Sequence, residues 1–143
     1  MWLNREELYM KIIVSFIILF LCSAVSPVFA GDVIDGTKPL LCATIEALDC
    51  DPGTPCERGI PEIMGAPQFL RIDFAKNEIA GPQRASKIRS MVKDDDQIVL
   101  DGYLQEMGMG WTVALDRSKG SMRITVVSYD ATFIFFGACT TIP

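Results

Sequence analysis

From Pro67 onward the chain alternates apolar and polar residues with a period of two, and short turn sequences interrupt the pattern. Such alternation predicts half-buried β-strands, because successive side chains of a strand point to opposite faces. Seven segments follow it: residues 70–74, 79–80, 87–92, 98–104, 111–116, 122–126 and 132–138. Short turns favour sequential antiparallel pairing. The sequence therefore predicts a mainly β fold, an antiparallel meander of about seven strands.

Two of these segments indicate how the meander ends. Strands with one apolar face, each twisted relative to the next, tend to curl into an open or closed barrel. The last segment, TFIFFGA at residues 132–138, is apolar on both faces, as expected of a central or barrel-closing strand. Gly102 lies within another strand and is expected to permit a bend there.

Residues 39–48 show a different spacing. Leu41, Ile45 and Leu48 fall at i, i+4 and i+7, which is one face of an α-helix. Thr37 is a suitable N-cap, and a proline is tolerated in the first turn because its missing N–H has no partner there. The pattern predicts one short N-terminal helix that plugs one end of the barrel or covers an edge.

The four cysteines after residue 31 are Cys42, Cys50, Cys56 and Cys139, and they allow three pairings. Cys50–Cys56 would close a tight loop in residues 49–59, where prolines and glycines force turns. Cys42–Cys139 would tie the predicted helix to the last strand. We favour this pair of disulfides, and the other pairings stay open. A redox or metal site is the alternative, but the spacing is not C-x-x-C and the chain has no histidine.

Residues 1–30 predict a signal peptide. Lys11 precedes an apolar run of signal-core length at residues 12–22, and VFA at residues 28–30 forms a small-x-small cleavage site. We expect cleavage between Ala30 and Gly31.

Cleavage would release one secreted β-rich domain, residues 31–143, into an oxidising compartment such as the periplasm. The alternatives are an uncleaved membrane anchor and a lipid tether at Cys22. The unbroken apolar run is about half of the roughly 20 residues that a spanning helix needs. Membrane contact is therefore expected only through an uncleaved signal.

Charge and composition exclude several function classes. The net charge is −5, and a protein that binds phosphates needs clustered Lys and Arg, so we expect no nucleic-acid partner. Histidine, the commonest general base and metal ligand, is absent from the sequence. There is also no G-x-S-x-G, phosphate-binding glycine loop or H-E-x-x-H motif. We therefore predict no catalytic residue, no cofactor and no metal site. The run 94–96, three aspartates, is interpreted as a solvated turn rather than a calcium loop.

The stretch 107–111 (MGMGW) is the strongest candidate for a binding loop. Thioethers of Met107 and Met109 are the kind of soft ligand that Cu(I) prefers, but without histidine such a site would be weak. The simpler interpretation is a glycine-rich hairpin loop whose Trp111 begins a strand and joins the core. The same flexible side chains could also form a binding lip at a barrel mouth.

Four stretches, KPLLCATIEALDC, PCERG, PQFLRIDF and FFGAC, together resemble a family of small exported proteins of Gram-negative bacteria that has no assigned function. The resemblance covers nearly all of residues 31–143 and implies export but no activity. In architecture the predicted domain is also similar to the small disulfide-bonded β-barrel inhibitors of lysozyme in the periplasm, whose contact motif is missing here. Likeness of fold does not establish function.

Three functions stay open. The first is a non-enzymatic periplasmic or secreted binding or accessory protein that holds an apolar ligand or an envelope protein. The second is a periplasmic protein inhibitor or envelope-stress factor, and the third is an enzyme of unknown type. A pocket lined by Phe133, Phe135 or Trp111 would favour the ligand binder, whereas a filled barrel with a protruding loop would favour the inhibitor.

Overall fold

The computed structural model describes Tyr9 and residues 32–143. Apart from Tyr9, the predicted signal peptide lies outside the described residues, as does its cleavage site between Ala30 and Gly31. Residues 32–143 form nine strands: β1 (Leu40–Asp49), β2 (Glu57–Gly59), β3 (Phe69–Asp73), β4 (Glu78–Ala80), β5 (Ala85–Lys93), β6 (Gln97–Leu104), β7 (Met109–Asp116), β8 (Ser121–Val127) and β9 (Thr132–Thr141). In the part of the chain that is described, no helix has the length and apolar character needed to cross a membrane.

Eight of the strands close into an antiparallel barrel. Neighbours from β3 to β9 pair in sequence order, and β1 pairs with β3 on one edge and with β9 on the other. The short β2 is an additional strand that pairs with the second half of β1, opposite residues 47–49. The predicted mainly β, antiparallel fold is confirmed, and the barrel is closed.

The prediction of about seven strands with an N-terminal helix is wrong, because the segment assigned to the helix is β1. Its inward side chains Leu40, Cys42 and Thr44 alternate with a period of two. The register against β9 then shifts between Thr44 and Glu46, so that Ala47 is the next buried residue. This β-bulge adds one residue to the strand. Ile45, part of the supposed helical face, is 68% exposed.

The interior of the barrel is tightly filled at one end, where β1 begins and β9 ends. Its fully buried side chains come from five strands and the lead segment: Ile34, Leu40, Cys42, Ile72, Ile98, Leu100, Leu115 and Met122. Ile34 lies over this end and is tied to the β7–β8 turn, where its N–H donates to the Arg117 carbonyl at 2.9 Å. In return, Arg117 Nε donates to the Ile34 carbonyl at 3.0 Å. We call this the sealed end.

Aspartates cap the segments at the sealed end. Backbone N–H groups of Gln97 and Asp96 donate to Asp94 and lower its pKa below the ordinary value of 3.8. The Lys119 N–H does the same for Asp116, with further bonds from Ser118. The Thr37 hydroxyl and N–H lower the pKa of Asp35. The run 94–96 thus contains a turn-capping carboxylate.

Two disulfides join the pairs favoured from the sequence. Cys42–Cys139 links β1 to β9, with the two residues directly opposite each other in the register. The disulfide therefore joins two strands. The prediction that it ties a helix to the last strand is wrong. Cys50–Cys56 closes the loop between β1 and β2. Two disulfides in a domain of this size are typical of an oxidising, extracytoplasmic location.

Candidate functional site

The end of the barrel opposite the sealed end holds a cavity of about 470 Å³. Its walls are the inward faces of the strands at this end, and its mouth is bordered by the segment 62–67 before β3, the β4–β5 loop 81–84 and the β6–β7 turn. We call this the open end. Most of the fully buried side chains lie toward the sealed end, and this cavity is the space that they leave unfilled inside the eight-stranded closure.

The walls of the cavity are apolar and partly aromatic. Phe133 and Phe135 are two residues apart on β9, so both side chains point inward, and their ring centroids lie 6.2 Å apart. Aliphatic and thioether side chains complete the lining: Met64, Leu70, Ile79, Leu104, Met109, Val113, Ile124 and Val126. Large apolar side chains around a preformed hollow are typical of a small-molecule site.

Trp111 forms one wall and is held from two sides. Its indole Nε1 donates to Ser86 Oγ at 2.8 Å, across from β7 to β5. Its ring lies against Gly102, where any Cβ atom would collide with the indole and with the Lys87 carbonyl. Gly102 also faces the place where the β5–β6 register shifts, between Ile88 and Ser90. The absence of a side chain at Gly102 thus leaves space for the indole ring. The sequence predicted only that this glycine permits a bend in the strand.

Polar side chains inside the cavity already have partners. Ser86 accepts the bond from the indole, and the Thr44 hydroxyl donates to the Pro67 carbonyl at 2.7 Å. Within the described residues, no buried side-chain nitrogen or oxygen lacks a hydrogen-bond partner. A polar ligand group placed deep in the cavity would lose its water without gaining an equivalent partner there, which is unfavourable. The interior is therefore suited to hydrocarbon.

The segment 60–68 folds over one side of the mouth. Pro61 is buried, Met64 packs against the core, and the Ala66 N–H donates to the Pro61 carbonyl at 2.9 Å. The Thr44 N–H donates to the Gln68 carbonyl at 3.0 Å and holds the end of the segment against β1. This segment therefore forms an ordered rim rather than a loose loop.

The charged side chains among the lining residues are at the mouth. Glu62 belongs to the rim segment, and Arg84 to the β4–β5 loop, where the polar Gln83 precedes it. Arg84 Nη1 contacts the Met107 sulfur across the mouth. The cavity thus has an apolar interior and a polar, charged entrance.

The candidate binding-loop residues Met107, Met109 and Trp111 all line the cavity, at different depths. Met107 is exposed at the rim, Met109 is half-buried, and Trp111 is 9% exposed. Met64 and Ser86 were not singled out from the sequence. Their segments lie far from residues 107–111 along the chain, and no local pattern distinguishes them. In the described part of the chain, no group of three or more Cys, Asp or Glu residues is placed to hold a metal ion.

In comparisons with protein-family models, curated proteins and solved structures, no match to this chain was found.

Proposed function

We propose that this protein is a non-enzymatic binding protein that holds an apolar small molecule in the open end of its barrel. The cavity of about 470 Å³ carries the proposal, since it lies within the range of roughly 300–1,000 Å³ common for ligand sites. Its aromatic and aliphatic walls would favour a ligand by removing hydrocarbon from water, at about 25 cal/mol per Å² buried. Because the barrel is closed and stapled, little ordering of the walls would be needed on binding.

The proposed location is the periplasm or the extracellular space. The two disulfides support an oxidising compartment, and the predicted signal at residues 1–30 supports export. In such a compartment, a protein with an apolar cavity would act as a carrier or accessory factor for a sparingly soluble molecule.

The test is a cavity-filling substitution with a matched control. Val126 lines the cavity, whereas the next residue, Val127, is 48% exposed. Val126→Phe should place the ring in the cavity and lower the affinity for the neutral apolar dye Nile red by at least about tenfold, a difference of about 1.4 kcal/mol. Val127→Phe should leave the affinity unchanged. Titration by fluorescence gives both values, and equal binding by the two variants would exclude the cavity as the site.

A protein inhibitor is the second candidate, because apolar side chains are exposed near the mouth. Ile63 on the rim segment is 81% exposed and Tyr129 in the β8–β9 turn is 99% exposed. Native mass spectrometry of the full protein purified from periplasm separates the candidates. A bound molecule of a few hundred daltons would support the ligand binder, whereas a bound protein that is lost in Ile63→Asp would support the inhibitor.

A further inference from the structure

We infer that the ligand of the cavity is a single-chain amphiphile with an anionic headgroup, and that Arg84 binds this headgroup at the mouth. The inference rests on the proposed function and adds the chemical class of the ligand.

The division of the cavity into two zones favours an amphipathic ligand. Below the mouth, the lining is hydrocarbon, thioether and aromatic rings, and its hydroxyl groups are engaged with Trp111 and Pro67. The exposed polar lining residues are at the mouth: Glu62, Gln83 and Arg84. A molecule that satisfies both zones has a hydrocarbon chain in the barrel and a polar group at the entrance.

Arg84 is suited to be the headgroup anchor. The acceptor that it contacts is the thioether sulfur of Met107, and sulfur accepts hydrogen bonds only weakly. Among the described residues, Arg84 forms none of the ion pairs, which involve Lys38, Arg58, Arg71, Lys76 and Lys87. A guanidinium has five N–H donors in a planar fork that matches a carboxylate or phosphate. Arg84 is an exposed lining residue of the mouth, so most donors of this fork are available to a ligand there.

The sign of the headgroup follows from the β4–β5 loop. Arg84 is positively charged and has only donors, so this side of the mouth favours an acceptor group with negative charge, and the neighbouring Gln83 amide can donate a further N–H to it. Glu62 is the opposing charge, on the rim segment, and its carboxylate would weaken binding of an anion. Neutralising Arg84 should therefore weaken anion binding, whereas neutralising Glu62 should strengthen it.

Four amphiphiles with the same saturated chain test the inference. They are palmitate, hexadecyl phosphate, hexadecanol and hexadecyltrimethylammonium, each used below its micelle concentration or solubility limit to displace Nile red from the full protein. Palmitate or hexadecyl phosphate should bind more tightly than hexadecanol, and the stronger of the two identifies the headgroup as carboxylate or phosphate. The cationic chain should bind most weakly.

Variants then assign the effect to residues. Arg84→Gln should weaken binding of the preferred anion by about three- to tenfold, because a partly exposed charge-assisted contact is lost, and should leave hexadecanol unchanged. Glu62→Gln should strengthen anion binding. Arg123→Gln is the matched control, since Arg123 is exposed on β8 and does not line the cavity. Unchanged hexadecanol binding shows that Arg84→Gln keeps the barrel intact.

The outcomes separate this inference from the proposed function. If all four chains bind equally and Arg84→Gln changes none of them, the headgroup assignment is wrong while the apolar site stands. If the cationic chain binds best and Glu62→Gln weakens it, the assignment is also wrong, with the opposite sign. If none of the chains binds and Val126→Phe does not affect Nile red, the proposed function itself fails.

Discussion

At the scale of single residues, Trp111 forms one wall of the cavity and is held in place by two neighbours. It is a large ring at 9% exposure, and its position depends on two small residues, Gly102 beneath the ring and Ser86 at the indole nitrogen. A buried indole N–H needs an acceptor, since an unpaired one loses its hydrogen bond to water without replacement. Ser86 is therefore part of the site because it holds the indole in place.

Ser86→Ala should destabilise the protein by about 1–3 kcal/mol, because the indole N–H would lose its acceptor. Ser90→Ala is the matched control, since Ser90 is an exposed residue of the same strand that bonds to Asp101. We expect the control to change the free energy of unfolding by less than about 0.5 kcal/mol. Urea unfolding measures both values, and equal losses would contradict the proposed function of this hydroxyl group.

At the scale of elements, β1 makes the barrel possible. It pairs with β9 along nearly its whole length, and with β3 and then β2 on its other edge. Barrel closure leaves no exposed edge along β9, and a free edge would be a site for aggregation. The Cys42–Cys139 bond crosses this β1–β9 seam and joins residues that are 97 positions apart. The hydrogen bonds that close the barrel and the disulfide therefore join the same two strands, β1 and β9.

Removing the two disulfides should have unequal effects. In the chain-entropy model, a bond that closes a loop of about 100 residues contributes about 4.7 kcal/mol, and one that closes a loop of seven residues contributes roughly 2 kcal/mol. The double variant Cys42→Ala/Cys139→Ala should therefore lose more stability than Cys50→Ala/Cys56→Ala. Chemical unfolding of the two variants under identical conditions checks the order. Peptide mapping without reduction checks the pairing, and a Cys42–Cys50 or Cys42–Cys56 peptide would contradict it.

At the scale of the whole domain, the two ends of the barrel differ in construction. The sealed end has most of the fully buried side chains, the Ile34 segment and the Arg117 hydrogen bonds, including one to the Asp94 carbonyl at 2.6 Å. The open end has the cavity. A domain with this division can keep its fold through the sealed end while the open end retains space for a ligand.

Acid should destabilise the sealed end. Asp35, Asp94 and Asp116 have a pKa below the ordinary 3.8 in the folded protein, so the unfolded chain takes up protons first as the pH falls. The stability from these carboxylates is present above the ordinary pKa and is lost as the pH falls through the lowered values.

Asp94→Asn should thus reduce the fall in unfolding free energy between neutral and acidic pH. Urea unfolding at a series of pH values measures this slope against that of the unchanged protein, and an identical slope would contradict the assignment to Asp94.

Much of the fold could be predicted from local patterns. The segments from β3 to β9 alternate with a period of two, and the four cysteines allow few pairings. The bulge in β1 could not be predicted. An extra residue between Thr44 and Glu46 breaks the alternation, and Leu41, Ile45 and Leu48 then match a helical spacing by coincidence. For the site, Met107, Met109, Trp111, Phe133 and Phe135 are candidates that the sequence provides, whereas Ser86 and Met64 carry no local signal.

The sequence by itself determined the β class, the succession of strands from β3 onward and the cysteines available for stapling. These features depend on neighbouring residues, because which face a side chain occupies in a strand follows from its position relative to residues i±2. Only the tertiary structure decided that β1 is a strand, that it closes the barrel against β9, and that one end is hollow. Closure depends on register between residues nearly 100 positions apart. The cavity depends on how side chains from eight strands fill the interior that they share. Neither barrel closure nor the cavity can be predicted from a local sequence pattern.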